Sequence, residues 1–130
     1  MAVSLFRIGT PRARGEGLRL GTVRFLPRGV PKDEYAARDL FDVWLPILSP
    51  SRELLKGFSP DKATEKELAR LFARFRAELE RTDARQVLAA LARLSHEADF
   101  AVGCYCADPA RCHRSVLLQA LAEHGAKVRR

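Results

Sequence analysis

The run Phe100-Ala101-Val102-Gly103-Cys104-Tyr105-Cys106 is apolar almost without a break. A short turn, Ala107-Asp108-Pro109-Ala110, follows it, and then Arg111-Cys112-His113-Arg114 opens an apolar-periodic stretch that Gly125 stops. The run is too short for a core helix and lacks the alternation of a strand with one wet face. It therefore reads as a buried strand over residues 99–106, covered on both faces, as in parallel sheets. The stretch after the turn reads as a helix over residues 110–124. A strand running into a helix N-terminus leaves unpaired backbone N–H groups and a partial positive charge at the junction, where α/β proteins bind anions.

The rest of the chain supports the same class. Residues 4–8 alternate and read as a strand, residues 9–17 form a basic loop, and residues 18–25 read as a second strand or extended segment. Pro27, Gly29 and Pro31 keep the chain irregular after that. In residues 33–44, Ala36, Ala37, Leu40, Phe41 and Trp44 fall at helical spacing, so this part is expected to be partly helical, with Phe41 and Trp44 in the core. Ser51 caps a helical turn that Gly57 stops. Thr64-Glu65-Lys66-Glu67 is a capping box opening the clearest helix, through residue 81, with a stripe of Leu68, Leu71, Phe72, Phe75 and Leu79. Another helix covers residues 84–95, and Val128 is expected in a short edge strand. The order implies a single α/β domain over residues 1–130. It is a three-layer Rossmann-like arrangement with a largely parallel central sheet.

Charge and composition narrow the partners. The net charge of +7 favours anionic ones, whether nucleotides, phosphates, nucleic acid or acidic proteins. An apolar fraction of 47% excludes disorder as the main state. No apolar run approaches the ~20 residues that span a bilayer, and the first residues lack the long apolar stretch of a signal peptide. Three cysteines give no disulfide framework. The expectation is a cytoplasmic protein that does not enter a membrane.

The chemistry concentrates at the strand–turn–helix junction. Thiols at Cys106 and Cys112, near a helix N-terminus and beside Arg111 and Arg114, are expected to hold more thiolate than a free cysteine. A phosphatase or rhodanese-like loop needs an arginine six positions after its cysteine. Position 112, six after Cys106, is another cysteine, and position 118, six after Cys112, is leucine. Pro109 also removes an N–H from such a loop. Cys104, Cys106, Cys112 and His113 are zinc-type ligands, but no Cys-x-x-Cys pair exists and the two ligands on the helix are splayed by ~100°. No metal site is assigned from this spacing, and no cofactor is identified. The reading taken forward is an anion pocket in which Arg114, His113 and the Ser115 hydroxyl hold phosphate. Against it stands a plain one, with the cysteines as small core residues and Arg114 fastening the loop.

Cys106, the acidic turn and Cys112-His113-Arg114 at a helix start resemble the domain-of-unknown-function 488 (DUF488) family. Arg24-Phe25-Leu26-Pro27-Arg28-Gly29-Val30, the lone Trp44 and Pro50-Ser51-Arg52-Glu53-Leu54 are similar to its YeaO-like branch. Phe25-Leu26 replaces that branch's Leu-Trp, and Thr22-Val23-Arg24 replaces Val-Asp-Arg, removing an acidic partner for Arg24. The resemblance implies a fold more than a reaction. It brings Arg24 and Arg28 to the same cleft as Arg114, with Cys106 or His113 as nucleophile or acid–base. The expected function is a nucleotide or phosphorylated-ligand cleft, with catalysis open. The alternatives are a non-catalytic nucleic-acid-binding or regulatory module, or a cysteine-dependent phosphatase or rhodanese-like enzyme.

Overall fold

The computed structural model describes residues 1–59, 61–106, 108 and 111–129. Four strands, β1 (Val3–Arg7), β2 (Leu18–Gly21), β3 (Val43–Trp44) and β4 (Phe100–Cys104), form one sheet in the order β1-β4-β2-β3. Every pairing is parallel. The apolar run expected to be central is central: β4 lies between β1 and β2, and all five of its residues are buried. Val128 adds an isolated parallel bridge to Val3, which extends the β1 edge.

Helices α2 (Glu65–Glu78), α3 (Thr82–Leu94) and α4 (His113–Glu123) supply Phe75, Leu88, Leu117 and Leu121 to one core. Val3, Leu20, Phe100 and Val102 meet them from the sheet. The capping box forms as expected, with the Thr64 hydroxyl accepting from Glu67 N–H and the Glu67 carboxylate accepting from Thr64 N–H. A short α1 (Arg52–Leu55) is capped by Ser51. The start of the last helix expected at Ala110, and the turn residues Ala107 and Pro109, lie outside the described residues. Among those described, α4 begins at His113 with Cys112 as its N-cap.

The other face of the sheet is covered by a second cluster, with Ile8, Val23, Tyr35 and Phe41 over Phe6 and Ala101. Here the helical expectation for residues 33–44 is corrected. Only one 3-10 turn forms, Lys32–Glu34, and the segment ends in β3. Asp39 takes a positive φ of 58°, which breaks helical continuation, and Leu40 N–H bonds back to Tyr35 O. Phe41 lies in the core, 2% exposed, but Trp44 does not. It sits on the edge strand, 40% exposed, with its indole N–H donating to Val23 O at 2.7 Å.

This second face holds a buried cation that the sequence did not announce. Arg19 on β2 is fully buried, pairs with Glu16, donates to Asp39 O at 2.6 Å and lies 4.5 Å above the Phe6 ring. Arg12 forks onto Asp42 at 2.9 and 2.7 Å, and Asp42 also accepts from Arg19 N–H. The basic loop is thereby held against the sheet. No described helix is long and apolar enough to cross a membrane.

Candidate functional site

A cleft of about 310 Å³ opens beyond the carboxyl ends of β2 and β4. Four stretches of chain supply most of its lining: Val23, Arg24 and Phe25 after β2; Ser49, Pro50, Leu55 and Phe58 around α1; Cys104 ending β4 with Tyr105 and Cys106 after it; and Arg111, Cys112 and His113 where α4 begins. Leu71 of α2 completes it. Ligands of parallel α/β sheets bind in this position because strand ends and helix N-termini meet there.

The loop leaving β4 is fixed carbonyl by carbonyl. Gly103 O accepts from both the N–H and the hydroxyl of Thr22, at 3.0 and 3.1 Å. Cys104 O accepts from Ile8 N–H at 2.8 Å, and Tyr105 O from Arg7 Nε at 3.2 Å. Cys106 O accepts from Arg114 Nη2 at 2.5 Å, while Arg114 Nη1 donates to Phe6 O at 2.7 Å. Arg114 is 2% exposed and its Nε has no hydrogen-bond partner among the described residues. A buried guanidinium thus binds the end of β1 to the loop after β4, with carbonyl dipoles rather than a carboxylate compensating its charge.

The fixed loop brings three sulfurs together. Cys104, Cys106 and Cys112 Sγ all lie within 4.8 Å of one another. Cys104 and Cys112 are buried and Cys106 is half-buried. Hydrogen bonds from Cys104 and then Cys112 pull the Cys106 thiol down against the effect of burial. The Cys104 thiol is pushed up by its bond to Cys106, then by Cys112 and by burial. The bond with Cys104 lowers the Cys112 thiol, but the Cys106 sulfur and burial outweigh it and leave the thiol raised. Of the three thiols, that of Cys106 is the one shifted toward the thiolate, and it is also the half-buried one.

His113 is held rather than free. Its Nε2 lies 2.7 Å from Thr22 O and so carries the proton, which leaves the Nδ1 lone pair 3.7 Å from Cys112 Sγ. Its ring stands edge-on to Phe75 at 5.5 Å. Burial pushes its pKa down, which favours the neutral imidazole, and the Arg114 guanidinium adds positive charge that helps to lower the Cys106 thiol.

The other residues named from the sequence fall in different places. Arg24 lines the cleft, with Nε and Nη2 donating to Pro50 O and Ser49 O, each at 3.1 Å. With carbonyl partners it does without the acidic neighbour that the YeaO-like pattern would supply. Arg28 is exposed and is not part of the lining. The Ser115 hydroxyl turns back to Cys112 O at 3.0 Å, inside its own helix. The structure thus brings Arg24, Cys106 and His113 to one cleft, with Arg114 directly behind it. Sequence reasoning missed Thr22, whose hydroxyl and carbonyl tie β4 to His113, whereas Arg111, expected beside the thiols, does line the cleft and its Nη2 reaches Ala63 O at 2.8 Å. Thr22 gave no signal because an alcohol at a strand end has no distinctive spacing.

The sequence matches the family DUF488-N3a, described as the active DUF488-N3 subclade, over residues 3–125. The chain belongs to this DUF488 family. No curated protein and no solved structure matches it.

Proposed function

We propose that the chain is an enzyme that holds a nucleotide or another phosphorylated ligand in the cleft and acts on it through the Cys106 sulfur. One observation carries this reading: a half-buried thiol at the mouth of an α4 N-terminus, in a cleft whose size suits a small ligand. The walls formed by Val23, Phe25, Leu55, Phe58 and Leu71 suit a flat apolar ring. Arg24 and Arg111 on the lining supply positive charge for a phosphate, with Arg114 behind the thiol. Arg28 reaches such a ligand only if the loop after β2 folds over the cleft, and Ser115 only if its hydroxyl leaves Cys112 O. His113 acts as a positioning residue, keeping Cys112 oriented from the fixed point of Thr22 O. The description of the subclade as active, which is said of the family, favours catalysis over a purely binding role.

The test is a thermal-shift panel with inorganic phosphate, nucleotides, sugar phosphates and short oligonucleotides, run with chelator on wild type and Cys106→Ser. Compounds that bind are then incubated with both proteins and their products separated. A ligand at about 100 times its dissociation constant adds roughly 2.7 kcal/mol, which raises the unfolding midpoint by several degrees. One compound class is expected to produce that shift in both proteins, with product formed only by wild type. Turnover retained in Cys106→Ser removes Cys106 from the mechanism. A panel with no shift at all contradicts the ligand reading, and salt-sensitive binding by oligonucleotides alone points to the nucleic-acid module instead.

A further inference from the structure

We infer that Cys104, Cys106 and Cys112 form a site for one thiophilic d10 ion of the Zn²⁺ class, and that its occupancy silences Cys106. The regulatory half of this inference rests on Cys106 being the reacting sulfur; the metal site itself does not. The three sulfurs come from three rigid points: the last residue of β4, the loop fixed by Arg114, and the N-cap of α4. They already lie within 4.8 Å of one another. Three thiolates around a zinc ion at ~2.3 Å each stand ~3.8 Å apart, so the cluster closes on an ion by small side-chain rotations. Thiolates select Zn²⁺ or Cu⁺ over hard cations such as Mg²⁺. All three cysteines line the cleft, which leaves the fourth coordination position facing it.

His113 stands beside this set, with Nε2–H on Thr22 O and its Nδ1 lone pair 3.7 Å from Cys112 Sγ. A backbone carbonyl orients imidazoles in this way around metal centres. On binding, each S–H that becomes a ligand releases its proton to solvent and no electrons are transferred. A sulfur committed to the ion has its lone pair engaged and attacks electrophiles slowly. Metal content would then set whether Cys106 reacts.

The experiment uses the full chain, reduced with a non-thiol reductant and stripped of metal, and Co²⁺ as a coloured probe. Titration is expected to give thiolate-to-cobalt charge-transfer absorption saturating at one ion per chain, bleached by Zn²⁺. Cys104→Ser and Cys112→Ser should weaken binding by about 100-fold or more, since even indirect supports of metal ligands are worth 10–100-fold. If either buried variant fails to fold, Cys106→Ala at the half-buried position provides the same comparison. Zn²⁺ should also slow alkylation of Cys106 at least tenfold. Absence of the charge-transfer band, or a band unchanged in all the variants, overturns the site. Co²⁺ binding with undiminished alkylation of Cys106 overturns its regulatory role. The phosphorylated-ligand reading is tested in chelator, so either proposal can fail while the other stands.

Discussion

Gly103→Ala is expected to remove at least about 4 kcal/mol of stability, the range reserved for a few severe mechanisms. Gly103 lies in β4, between β1 and β2, where a Cβ would stand 2.3 Å from Phe6 O and 2.6 Å from the Phe6 ring. The first of these atoms is backbone and belongs to the strand that pairs with β4, so it cannot rotate away. Relief requires β1 and β4 to separate, which would strain the ladder on both sides. Domains of this kind are stable by about 5–15 kcal/mol in total, so the variant should unfold at a far lower denaturant concentration. Urea titration followed by far-ultraviolet circular dichroism measures it. A loss under about 1 kcal/mol would mean that the two strands are further apart than described.

Arg114→Met should cost about 3 kcal/mol. Methionine fills much of the same space but leaves Phe6 O and Cys106 O without their donors. Hydrogen bonds from a charged group are worth about 1.5–3 kcal/mol each. Part of the loss is offset, because a buried guanidinium whose Nε has no partner among the described residues is itself expensive to bury. Arg114→Lys should fall between the two, since an ammonium lacks the planar fork that spans two carbonyls. The same denaturation measurement ranks the three proteins. Faster amide exchange in the loop after β4 should accompany the loss, because Arg114 secures Cys106. An Arg114→Met protein as stable as wild type would show that those carbonyls find other partners.

What could be read from the sequence was what local chemistry decides. The capping box at Thr64 and the two-sided burial of β4 need no knowledge of distant residues, and both form as read. Residues 33–44 show the limit. Their helical spacing is real, but Tyr35 and Phe41 are drawn onto the second face of the sheet, and Asp39 turns the chain out of helical geometry. Trp44 then follows β3 to the sheet edge, where hydrogen bonding to Val23 O holds a ring that is still 40% exposed. Nothing local marks Arg19 as buried, since its burial depends on Glu16, Asp39 and Phe6 converging in space.

The candidate site divides along the same line. That Cys106, His113 and Arg114 meet near one junction follows from a strand running into a helix. The direction each side chain takes does not. Arg114 turns inward to two carbonyls, while Arg24 turns to Ser49 and Pro50. The spacing of Cys104, Cys106 and Cys112 contains no metal motif, yet the N-cap of α4 returns to the end of β4 and gathers the three sulfurs. Linear spacing describes ligand sets carried on one turn or knuckle, and this set is assembled across a chain reversal.

The most direct test of the account is limited alkylation of the metal-free, reduced chain with iodoacetamide, mapped by mass spectrometry with and without the compound class that shifts the melting midpoint. Cys106 is expected to be labelled first, with Cys104 and Cys112 untouched until the protein unfolds, and the bound compound should protect it. Labelling of Cys106 that a bound ligand leaves unchanged, or labelling spread evenly over the three cysteines, would contradict a ligand cleft built around the Cys106 sulfur.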